Sequence, residues 1–143
     1  MLAAWARQSS WGYAIANVLH LLGMATLLGS ILALDLRILG IRRALPLSDT
    51  AGLLLPLARC GFVLAAASGT VLFAADATHV YVNPAFQVKV LLIGVALLNV
   101  LAFHATTRLA GRAEPGLCAR ISAGMSLLLW PAVIVCGRMI AYL

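Results

Sequence analysis

Residues 11–34 read WGYAIANVLHLLGMATLLGSILAL. The run carries no Asp, Glu, Lys or Arg, and about 20 such residues are enough to cross the hydrocarbon of a bilayer. It is too long for the apolar core of a signal peptide, and no small-residue cleavage site with polar residues follows it. Three further apolar runs lie downstream: about 53–75 with Arg59 near its start, 86–107 with Lys89 and His104, and 117–143 with Arg120 near its start and Arg138 near its end. The composition agrees. Hydrophobic residues make up 64% of the 143 and charged residues 10%, with a mean hydropathy of +1.05, whereas a soluble domain is about half apolar and a quarter charged. A soluble globular enzyme and a disordered chain are excluded on this ground. The net charge of +6 does not indicate a nucleic-acid partner, because no soluble basic face exists to carry it. Three cysteines, Cys60, Cys118 and Cys136, are too few and too odd for a disulfide framework.

The linkers are short and polar. Arg37 to Thr50 contains Pro46 and Ser48-Asp49 as breakers, Asp76 to Ala85 contains Asn83-Pro84, and Arg108 to Gly116 contains Gly111 and Pro115-Gly116. Short connections make successive helices antiparallel neighbours. The expected architecture is a single all-α transmembrane domain over residues 1–143, an integral membrane antiparallel four-helix bundle. Arg37, Arg42, Arg43, Arg59, Arg108, Arg112 and Arg120 lie in or beside the first and third linkers. The positive-inside bias puts those linkers in the cytoplasm and both termini and the 76–85 loop outside. In a bacterial inner membrane the termini are then periplasmic. Trp5, Trp11, Tyr13, Tyr81 and Tyr142 fall on that outer side as an aromatic belt. Small residues in span one (Gly23, Ala25, Gly29, Ser30, Ala33) and span two (65–69, AAASG) are expected to let these helices approach closely.

Polar residues inside a span are expensive, so each is a candidate for function. They are Asn17, His20, Asp35, Lys89, Asn99, His104 and Arg138. At about 1.5 Å per residue, His20 lies roughly 13 Å below the outer edge, Lys89 about 5 Å, Arg138 about 7 Å and His104 about 27 Å. Asn17, His20, Met24, Leu27, Ile31 and Asp35 share a face of span one, and Lys89, Leu92, Ala96, Asn99 and Phe103 share one of span three. Both faces are expected to point into the bundle, away from lipid.

An inward histidine in such a bundle has two readings. One is axial ligation of haem iron, as in membrane b-type cytochromes, with Lys89 and Arg138 pairing the propionates. The other is an interhelical hydrogen bond. His104 is too deep to share an iron with His20. It reads as an interfacial residue or as a ligand of a second haem, with Met125 at similar depth. His79, in the outer loop, reads as a solvated side chain. Asp35 and Arg37 look like a charge pair. Met24 and Met125 beside histidine are compatible with copper, but as isolated residues they read as packing.

The motifs 17-NVLHLLG-23, Gly29, 35-DLR-37, 86-FQVK-89, Asn99, 103-FH-104, 126-SLLLW-130 and 137-GRMIAY-142 resemble a widespread four-helix inner-membrane family of bacteria. More distantly the layout is similar to HemJ-type protoporphyrinogen oxidases and to the CopD copper-resistance membrane domain. In HemJ-type proteins a histidine in the first helix and a lysine opening the third are functional and b-type haem is bound; His20 and Lys89 occupy the matching places. The fourth span here ends differently from the HemJ terminus. The resemblance implies haem b as cofactor, with His20 and Lys89 in functional places; the reading of the spans makes His20 the candidate iron ligand and adds Arg138, Asn17 and His104 as further cofactor-binding candidates. The expected function is electron transfer or haem-dependent oxidoreduction, with the lipid bilayer as surroundings, a redox partner protein and a homodimer as candidate partners, and no nucleic acid. The rival expectations are a small transport or metal-handling protein using Asn17, His20 and Asp35 as a polar pathway, and a non-catalytic subunit of a membrane complex.

Overall fold

The computed structural model describes residues 10–110 and 115–142. They form five helices: α1 (Ser10–Leu39), α2 (Leu47–Ala75), α3 (Ala77–Val82), α4 (Pro84–Ala110) and α5 (Leu117–Met139). The four long ones are each long and apolar enough to cross a membrane, and among the described residues there is no strand. The chain is an all-α bundle and a multi-pass membrane protein, as the apolar runs predict.

Three of the four long helices extend past the apolar runs, while α5 ends at Met139, short of residue 143. α1 continues through Asp35 and Arg37, both buried, with Arg37 bonded to the turn that follows the helix. The Arg37 Nε donates to Leu45 O at 2.7 Å, and its guanidinium also reaches Arg43 O at 3.2 Å. The expected Asp35–Arg37 pair does not form; Ser126 takes Asp35 instead. Gly40, with φ +109°, ends α1 in a left-handed turn in which Ile41 N bonds Leu36 O and Gly40 N bonds Arg37 O. Ser48 and Asp49, expected as breakers, lie in the first turn of α2 behind Pro46. A carboxylate there is stabilised by the helix dipole. The 76–85 connection is not a plain loop but holds α3. Asn83 ends it, its Oδ1 accepting from Ala85 N and its Nδ2 donating to Ile140 O at 3.3 Å.

Packing makes two hairpins. In the first, α1 crosses α2 so closely that a Cβ on Gly23 would lie 2.6 Å from the Ala65 amide nitrogen, and one on Gly61 would lie 2.5 Å from that of Leu27. Of the small residues expected at this seam, Gly23, Ser30, Ala65 and Ser68 are buried there, while Ala25, Gly29, Ala33, Ala66 and Ala67 are exposed. In the second, α4 and α5 are joined by a reciprocal pair: Asn99 Nδ2 donates to Ser122 O at 2.9 Å, and Ser122 Oγ donates to Asn99 Oδ1 at 2.9 Å. The hairpins meet along α1 and α5, where Leu34 and Ile38 pack with Ala119 and Ala123. Among the described residues, the backbones of α2 and α4 do not pack against each other. Their side chains meet at the α3 end, where Phe73 stacks on Phe86 with ring centroids 5.1 Å apart.

Candidate functional site

Two polar layers occupy the bundle, with an apolar plug of Leu27, Ala58, Ala96 and Trp130 between them. The layer nearer the α3 end contains His20. Its position follows from the buried line on α1, Ala16, Gly23, Leu27, Ser30, Leu34 and Ile38, whose three- and four-residue spacing includes residue 20. The ring lies against Gly69, where a Cβ would come within 3.0 Å of its Cε1. The His20 Nδ1 is 2.8 Å from Ala65 O. A carbonyl can only accept, so Nδ1 carries the proton. Ser68 Oγ, which donates to Leu64 O at 2.6 Å, is 3.4 Å from the same nitrogen. Among the described residues Nε2 has no hydrogen-bond partner.

Lys89 comes to this layer from α4. It is half-buried, lies against the bare backbone of Gly137 on α5, and is within electrostatic range of His20 and Cys136. Among the described residues no carboxylate pairs with it. Arg138 is exposed and turned outward: its guanidinium bonds Tyr142 Oη at 3.1 Å and sits over that ring, 5.2 Å from the centroid. The expected two-cation clamp is therefore reduced to Lys89. Asn17 is also displaced from the expectation. It is exposed on α1, beside the buried line that includes Ala16, because the close crossing at Gly23 turns that line toward α2. His79, on α3, is exposed and bonds Asp76 Oδ1 at 2.7 Å, as a solvated side chain should.

The second layer lies toward the 40–46 connection. It is a cavity of about 440 Å³ bounded by all four long helices. Its wall is mostly apolar, with Asp35, Asn99, His104, Ser122, Ser126 and Trp130 among the lining residues. His104 Nδ1 is 2.8 Å from Val100 O on its own helix, and its ring meets Phe103 edge-on. Met125, considered as its partner, is 46% exposed and does not line the cavity. Asp35 and Trp130 are buried, and two of their atoms, Asp35 Oδ2 and Trp130 Nε1, have no partner. Trp130 was not singled out by its chemistry in the sequence, since a tryptophan in an apolar run has no mark of an unmet donor. The polar path expected through Asn17, His20 and Asp35 is interrupted by the apolar plug.

The His20 ring is held in the manner of a ligating histidine. A histidine that ligates through one nitrogen characteristically donates from the other to a carbonyl, which fixes the ring. His20 Nδ1 and Ala65 O supply that arrangement, and Lys89 supplies a cation for a carboxylate. Among the described residues no group of three His, Cys, Asp or Glu forms a protein-only metal cage. A family of unknown function, DUF6644, matches residues 8–143. No curated protein and no solved structure matches.

Proposed function

We propose that this chain, which belongs to the DUF6644 family, is a haem-b-binding membrane protein that passes electrons to or from a redox partner. One observation carries the reading: the His20 imidazole is held by Nδ1 on Ala65 O and leaves Nε2 without a partner. In the neutral ring that nitrogen bears the lone pair, and an unmet lone pair within a membrane bundle is costly unless something ligates it. His20 would hold the haem iron, and Lys89 would pair with a propionate. The bound haem would supply one-electron chemistry. The protein's part is to fix the ligand ring against Gly69 and to set a cation beside it.

We read the membrane as the bacterial inner membrane, with both termini periplasmic. The support is the arginine-rich 37–59 segment at the end opposite the exposed aromatics Trp11, Tyr81 and Tyr142. His20 and Lys89 then lie in the periplasmic half.

A reduced-minus-oxidised visible spectrum of the purified protein is the test. Wild type should show a b-type band, and His20→Ala should lose it. Wild type without a Soret band after haem supplementation would end the proposal.

A further inference from the structure

The cavity of the second layer holds two polar atoms of opposite kind. Asp35 Oδ2 is an acceptor and Trp130 Nε1–H is a donor; neither has a partner, and their residues are only 7% and 5% exposed. Both residues line the cavity. Leaving such groups unmet costs far more than the bonds they forgo in water. Among the described residues no side chain or backbone group bonds either atom. A guest in this cavity must therefore offer one hydrogen to Asp35 and one lone pair to Trp130.

The rest of the lining narrows the guest further. The remaining wall is apolar and aromatic, with Phe62 and Phe103, and the volume falls in the range of small-molecule sites. The entrance is lateral. Val63 on α2 and Leu97 on α4 line the cavity and are also exposed, at 65% and 37%, and they stand on the two helices whose backbones do not pack together. An apolar tail can leave by that gap into lipid.

We propose that this cavity binds the hydroquinone headgroup of a membrane quinol, one hydroxyl donating to Asp35 Oδ2 and the other accepting from Trp130 Nε1. The oxidised quinone has two acceptors and no hydrogen for Asp35, so the site prefers the reduced form. The inference does not rest on the haem reading and can fail separately from it.

The test uses three molecules of nearly one shape: durohydroquinone, duroquinone and durene. The full chain carries Trp5→Phe and Trp11→Phe, so that Trp130 is its one tryptophan, excited selectively over tyrosine, and is titrated anaerobically in lipid vesicles. Emission is expected to change saturably with durohydroquinone. Duroquinone and durene should bind about tenfold more weakly or less, the loss expected for a hydrogen bond to a charged group. Asp35→Ala should abolish the preference for durohydroquinone over duroquinone and reduce that over durene. Ser126→Ala, which keeps the carboxylate but frees it, should weaken the preference and carries the test if Asp35→Ala does not fold. Equal binding of durene and durohydroquinone would overturn the proposal, making the cavity a space for acyl chains. So would an undiminished preference in both variants.

Discussion

At His20 one backbone carbonyl decides which nitrogen is available. Ala65 O takes the Nδ1 proton at 2.8 Å, and the absence of a side chain at Gly69 leaves room for the ring. Gly69→Ala would place a Cβ 3.0 Å from Cε1, so the ring must turn. The expected outcome is a shifted or broadened haem band with the iron still bound, read by visible and electron paramagnetic resonance spectra. The two cations should separate cleanly. Lys89→Gln removes a charge-assisted bond worth roughly 1.5–3 kcal/mol, so haem retention should fall about tenfold or more and the reduction potential should drop, because a positive charge favours the reduced state. Arg138→Gln should change neither, since Arg138 is spent on Tyr142 at the membrane interface. Haem titrations and redox potentiometry of both variants check this. His20 and Lys89 were legible in the sequence because a charge or an imidazole in an apolar run stands out. Asn17 stood out equally and is exposed; it sits one residue beside the line that α2 covers, an offset that helical periodicity alone does not resolve.

Among the helices, the tightest seam depends on two glycines. Gly61→Ala would push a Cβ to 2.5 Å from a backbone nitrogen, and backbone cannot move aside as a flexible side chain can. A cost of about 1–3 kcal/mol is expected, whereas Gly94→Ala, with nothing within 4 Å of the added carbon, should be near neutral. Unfolding in mixed micelles measures both. The Asn99–Ser122 pair of the other hairpin should couple by about 0.6 kcal/mol, and by no more than about 1.7, in a double-mutant cycle. The four spans could be read from the sequence because hydrocarbon thickness fixes a length and a polarity. Gly61 could not, because a glycine at a crossing and a glycine facing lipid look alike until the partner helix is in place. The same holds for the ends of α1 and α2. Arg37, Ser48 and Asp49 read as linker by polarity, yet they are helical, Arg37 through partners at Arg43 and Leu45.

At the scale of the whole molecule, orientation and assembly become separate questions. With the native cysteines replaced, Thr78→Cys and Ser48→Cys, both exposed at opposite ends, should differ in reactivity: an impermeant maleimide added to intact cells should label Thr78→Cys and leave Ser48→Cys unlabelled. The reverse pattern would invert the membrane. Assembly follows from the contact of the two hairpins along α1 and α5, joined at the α3 end by the Phe73–Phe86 stack. Each hairpin already has its own internal fastening, glycine crossing in one and amide–hydroxyl pair in the other. The covalent thread between them runs through a six-residue helix whose His79–Asp76 bond is exposed. Cutting that thread should therefore leave two independent inserts. Co-expressed as residues 1–78 and 79–143, they should find each other in the bilayer and co-purify, as though the gene had always been two.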